Sequence, residues 1–111
     1  MKKALAMLLF IPCVASAEFW TGNDFYNKAT GQPTDAIQAY GYAIGVYDVG
    51  VHVWFCPSTE RGITVGQVSD IAKNWLANNA HRRHESAEKL LKEAFSQVWP
   101  CPQRNRQGKG V

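Results

Sequence analysis

His84-Glu85-Ser86-Ala87-Glu88-Lys89-Leu90-Leu91-Lys92-Glu93-Ala94-Phe95-Ser96-Gln97-Val98-Trp99-Pro100-Cys101 is the stretch whose reading decides the fold. Ala87, Leu90, Leu91, Ala94, Phe95 and Val98 keep helical spacing without a miss, which predicts a helix from about His84 to Val98 with one apolar stripe. Pro100 and Pro102 flank Cys101, so the helix stops there: proline has no amide to donate, and it pushes the preceding residue out of the helical region.

Upstream, Thr64-Val65-Gly66-Gln67 reads as a capping box, in which the Thr hydroxyl and the Gln side chain each cover an orphan amide. Val65, Val68, Ile71, Ala72, Trp75 and Leu76 then form the stripe of a helix that ends in Ala77-Asn78-Asn79-Ala80. A further helix starts at Thr34, with Asp35 suited to the positive end of the helix dipole. Ile37, Tyr40, Ile44 and Tyr47 recur at spacings of three and four, a helical face. Gly41 and Gly45 lie four apart on a neighbouring face. Because each costs helix stability, a close helix–helix crossing is expected there, in preference to mere crowding. A short first helix runs from Thr21 to about Ala29, capped by Thr21 or Asn23 and stopped by Gly31-Gln32-Pro33. Val49-Gly50-Val51-His52-Val53-Trp54-Phe55 has the bias of an extended segment, yet reads equally as the frayed end of the second helix. The fold class expected is all-α: a single small domain of about four helices.

The chain has 111 residues, 46% hydrophobic and 19% charged, which excludes a disordered tail or a coiled coil and leaves room for one domain. Met1-Lys2-Lys3, the apolar run Ala4–Val14 and Ala15-Ser16-Ala17 read as a secretory signal peptide over residues 1–17, too short for a permanent membrane span. The helical domain is then 18–101, and 102–111 is a polar flexible tail. Lys2 and Lys3 leave with the signal, and Arg104, Arg106 and Lys109 lie in the tail. The net charge of +3 is therefore a signal-and-tail effect over a slightly acidic body, with no basic face for nucleic acid.

Of three cysteines, Cys13 lies inside the signal, and Pro12 before it argues against a lipoprotein acceptor. Cys56 and Cys101 remain as an even pair in an exported protein, for which one disulfide is the expectation. It closes a loop of about 45 residues, a constraint on the unfolded chain of about 4 kcal/mol. The competing reading of Cys56 is a catalytic thiol with His52, His81 or His84 as base.

Other chemistry is scarce. There is no glycine-rich phosphate loop and no zinc-spaced Cys/His cluster, so no cofactor is expected. His81 and His84 are three apart, but Arg82 and Arg83 between them repel a cation. Glu85 and Glu88 read as a solvated face rather than an acid–base pair. Four Trp and four Tyr are a heavy aromatic load, serving either as core or as interface anchors.

The order of several short motifs is similar to that of the Rap/Tai-type immunity proteins of type VI secretion systems. The pieces are Phe19 with Thr21-Gly22-Asn23-Asp24-Phe25-Tyr26, then Gly41-Tyr42-Ala43-Ile44-Gly45-Val46-Tyr47-Asp48, Phe55-Cys56-Pro57, Ile63-Thr64-Val65-Gly66-Gln67-Val68, Arg83-His84-Glu85-Ser86-Ala87 and Trp99-Pro100-Cys101. The resemblance implies a small periplasmic helical protein, often a homodimer, that binds and blocks a peptidoglycan amidase with a Cys–His centre, covering its cleft with helix and loop surface. It also implies a second cysteine pair in many members. Here those places hold residues such as Lys28 and Ala39, and because both halves are missing, no thiol is stranded.

The reading that follows is an immunity protein, not an enzyme, acting on a peptidoglycan amidase effector by occlusion. A periplasmic binding or envelope-maintenance domain of the same fold is the alternative. No nucleic acid and, after signal cleavage, no membrane is expected as a partner. Recognition residues tend to sit on loops held by a rigid frame, which nominates Glu60 and Arg61 after the Cys56 anchor, and His81, Arg82 and Arg83 between the last two helices.

Overall fold

The computed structural model describes residues 19–58 and 62–103. The expected signal peptide and its cleavage junction lie outside those residues, as do Glu60, Arg61 and the tail beyond Gln103. Among the described residues the architecture is all-α: α1 Gly22–Ala29, α2 Pro33–Gly50, α3 Val65–Asn78 and α4 Ala87–Val98, with a single 3-10 turn, Ala80–Arg82, before α4. No helix among them is long and apolar enough to cross a membrane.

Local chemistry sets most of the helix ends. Thr21 caps α1 in a capping box: its hydroxyl accepts from the Asp24 amide at 3.1 Å, and the Asp24 carboxylate accepts from the Thr21 amide at 2.9 Å. Thr64 and Gln67 make the expected box at α3, with bonds of 3.0 and 2.9 Å. Pro33 occupies the first turn of α2, where its missing amide costs nothing.

The start of α4 differs from the expectation. It begins at Ala87, not His84, and Ser86 caps it by accepting from the Lys89 amide. Residues 83–86 instead form a turn and bend hydrogen-bonded to the chain's first described segment, with one isolated bridge between Thr21 and Ser86. The Gly22 amide donates to the Glu85 carbonyl at 2.9 Å, the Asn23 amide to the Arg83 carbonyl at 2.8 Å, and the Ala87 amide to the Trp20 carbonyl at 2.9 Å. Gly22 is required in this approach, because a Cβ there would lie 2.8 Å from Leu90 Cδ1 and 3.1 Å from the Arg83 backbone.

The inward face of α2 is not the one that periodicity marks. Ala39, Ala43 and Gly50 are buried, whereas Ile37 is 66% exposed, Tyr40 lies at the surface and Ile44 and Tyr47 are half-buried. Because α2 packs against α1, α3 and α4 at once, small residues face its neighbours and larger ones are pushed to the flanks. Among the described residues the crossing expected at Gly41 and Gly45 does not occur, since a Cβ at either would meet no atom within 4 Å. At the other helices the stripes hold, except at their ends. Ala87, Leu90, Leu91, Ala94 and Phe95 are fully buried, while Val65 and Val98 are nearly half exposed.

Residues 49–55 resolve into two parts. The helix continues to Gly50, and a tight turn follows, closed by a bridge between Val51 and Phe55 with His52 at φ 65°. A Cβ on Gly50 would lie 2.5 Å from Phe55 Cε1, so the turn folds back directly onto the end of α2.

Candidate partner-binding surface

Phe55 is the pivot of this surface. It is fully buried, 5.6 Å from Tyr47, 5.2 Å from Phe95 and 6.3 Å from Trp99 between ring centroids. Edge-to-face arrangements in this cluster add to what burial alone contributes. Next to it Cys56 is bonded to Cys101, with Cα atoms 4.7 Å apart, and the Cys56 amide donates to the Trp99 carbonyl at 2.7 Å. The disulfide expected from the cysteine count is thus present. It also removes the catalytic-thiol reading, since a sulfur in a disulfide has no thiolate to offer.

Held at Phe55 and Cys56, the turn lays Trp54 across α4. The Lys92 ammonium stands 3.7 Å from the Trp54 ring centroid, and Ser96 Oγ lies 3.0 Å from the Trp54 carbonyl. Trp54 nonetheless stays 44% exposed, with Val49 and Val53 both above 60%. Between α2 and α4 this leaves a groove of about 360 Å³ with Gly41 and Gly45 in its wall, Tyr42, Val49 and Trp54 as apolar lining, and Glu88 and Lys92 at the rim. Burial, reinforced by the Glu88 carboxylate, pushes the Tyr42 phenol up from its ordinary value, so it stays a neutral group. Of the four tryptophans, Trp20, Trp75 and Trp99 pack against the core, and Trp54 is the one at the surface.

Of the residues nominated from sequence, Glu60 and Arg61 fall outside the described residues, and Ser58 before them is exposed. His81 is exposed on the 3-10 turn ahead of α4. Arg82 is committed inward: its guanidinium bonds both Glu85 oxygens at 2.9 and 3.0 Å and both Glu93 oxygens at 2.9 Å, and lies 5.5 Å from the Trp75 ring centroid. Lys89 adds a 2.9 Å bond to Glu85. The Arg82 guanidinium, with Lys89, holds the Glu85 carboxyl down at about 2, and Arg82 also lowers Glu93. Arg83 covers the Tyr26 ring at 4.1 Å. Glu85 is therefore an ion-pair hub, and Glu88 pairs with Lys92 at 3.2 Å.

Among the described residues no three His, Cys, Asp or Glu side chains gather as a metal-holding group. What the surface offers is shape: an apolar groove with an aromatic anchor and a rim of both charges. The groove escapes a sequence reading because it joins residues 41–54 to 88–92. Its signals, the spaced glycines and the surplus aromatic residues, are visible in the sequence but do not say which side of α2 they face.

Residues 21–101 match the family model described as Rap1a immunity proteins. That span takes in α1 through Cys101 and both halves of the groove. Among curated proteins there is no match to the chain.

Proposed function

Because the chain belongs to the Rap1a immunity protein family, whose role is to bind a toxin protein, we propose that it is a periplasmic immunity protein that occludes a peptidoglycan amidase delivered by type VI secretion. The observation that carries the choice of surface is the groove between α2 and α4, an apolar face that the fold builds and leaves uncovered. A tryptophan set in such a face, ringed by charged groups, has the anatomy of an interface anchor. The amidase side of the reading comes from the motif order. The periplasmic side comes from the leader-like first seventeen residues and from a disulfide, which persists in an oxidising compartment.

Occlusion requires no chemistry from this chain. Trp54 enters the partner, Val49 and Val53 widen the contact, and Lys92 with Glu88 fixes its register. His81, ahead of α4, and the sequence-nominated Glu60 and Arg61 add charged and polar contacts to the footprint. Ile37, 66% exposed on α2 and outside the groove's lining, suits a second copy of the chain as a homodimer contact.

The test is capture from periplasmic extract with the tagged protein, followed by assay of amidase activity. An amidase should be retained and silenced, and Trp54→Ala should release it with the melting curve unchanged. Capture of a non-enzymatic envelope component alone would favour the envelope-maintenance reading. Light scattering of wild type and Ile37→Glu reads the homodimer separately.

A further inference from the structure

Two regions of this molecule stand differently to the disulfide. The packed centre of the helices is built from Phe25, Ala39, Ala43, Val68, Leu76 and Leu90, drawn from all four and none of them next to Cys56 or Cys101 in sequence, although Phe55 and Phe95 join the same cluster. The turn that presents Trp54 is different. It holds a non-glycine residue, His52, at φ 65°, a conformation that persists only where its surroundings enforce it. Part of that enforcement comes from across the disulfide. Trp99 walls one side of Phe55, and its carbonyl receives the Cys56 amide. Trp99 itself stands beyond the last helical residue, Val98, where a chain end frays unless it is tied down. The Cys56–Cys101 bond is the covalent tie.

We infer that oxidation of Cys56 and Cys101 assembles the Trp54 surface, so that the reduced chain is a folded helical protein without a finished partner site. In the oxidising step the two thiols give up two electrons and two protons to the disulfide of an oxidising thiol–disulfide donor. The S–S bond forms, and the donor leaves as a dithiol. In a reducing compartment the cysteines stay as thiols, Trp99 and Cys101 come away, and the turn at 51–56 loses its outer wall. The functional consequence rests on the toxin-binding reading above: the reduced chain would hold its toxin about tenfold less tightly, and full affinity would follow oxidation. The structural part stands independently of that reading.

Hydrogen exchange separates the two. Amides of His52, Val53, Trp54 and Cys56, all bonded in the oxidised protein, are compared before and after phosphine reduction and in the Cys56→Ser/Cys101→Ser double variant. Exchange at these four should speed up by about tenfold or more while α1 and α3 amides keep their protection and far-ultraviolet dichroism keeps its helix signal. Unchanged exchange at 52–56 overturns the inference, as does loss of helix throughout. Affinity for the captured amidase should fall by about tenfold on reduction, the usual scale for disordering a contact loop. Faster exchange with unchanged affinity overturns the functional half alone. If the oxidised protein captures no amidase, the toxin reading fails while the exchange data still decide the structural half.

Discussion

The two ends of α4 are held by opposite means. At the N-terminal end, Arg82, Glu85, Lys89 and Glu93 form a lattice of ion pairs at the surface, and guanidinium groups lie over Trp75 and Tyr26. At the C-terminal end a disulfide and the rings of Tyr47, Phe95 and Trp99 close a box around Phe55. Charges near water gain little from pairing and are screened by salt, whereas buried rings and a covalent bond are indifferent to it. The contrast assigns different tasks: the charged end sets the path of the chain into α4, and the aromatic end supplies the stability on which the exposed Trp54 stands.

The largest expected effect tests the aromatic end. Phe55→Ala empties the box and should cost about 3–5 kcal/mol by chemical denaturation. A cost under about 1 kcal/mol would mean that the box collapses without penalty and that the contrast is false. Leu91→Ala, in the buried stripe between the two ends, should cost about 2–5 kcal/mol and serves as the reference for an ordinary core position. The double variant Cys56→Ser/Cys101→Ser should cost about 2–4 kcal/mol, and the loss should persist in high salt. Arg82→Ala should lower the melting temperature only slightly, and high salt should erase most of the difference.

The smallest effect is a pH dependence. The Glu85 carboxyl titrates at about 2 in the folded protein against an ordinary 4.5. A depressed carboxyl contributes stability that is complete above its ordinary value and is lost as pH falls toward the folded one. Stability should therefore decline from about pH 4.5 toward pH 2, and less steeply in Arg82→Ala, as read by thermal melts across that range.

Sequence reading succeeded where cause and effect are neighbours in the chain. The Thr64–Gln67 box, the stripe from Ala87 to Phe95 and the Cys56–Cys101 pair are each fixed by a few adjacent residues or by simple pairing of the two cysteines outside the leader-like segment. It failed where a distant segment decides. The start of α4 at Ser86 is set by bonds to Trp20, Gly22 and Asn23, more than sixty residues earlier. The inward face of α2 could not be read from period, because a helix apolar on nearly every side carries no stripe to orient it. Ala39 and Ala43 face inward because three helices crowd them, a fact of packing that no spacing of Ile37 and Tyr40 conveys. The groove combines both difficulties, since one wall is the unread side of α2 and the other is forty residues away on α4.

The bond between Cys56 and Cys101 turns part of the chain into a ring. All of α3, the 3-10 turn and α4 lie inside it, while α1 and α2 lie outside. A single backbone cut anywhere between Cys56 and Cys101 therefore opens the ring without dividing the molecule. Protease nicked once in the connection ahead of α3 would leave one covalent species on a non-reducing gel and two fragments on a reducing one. The cross-link thus lets the connection between Cys56 and α3 take one cut without losing either half of the molecule.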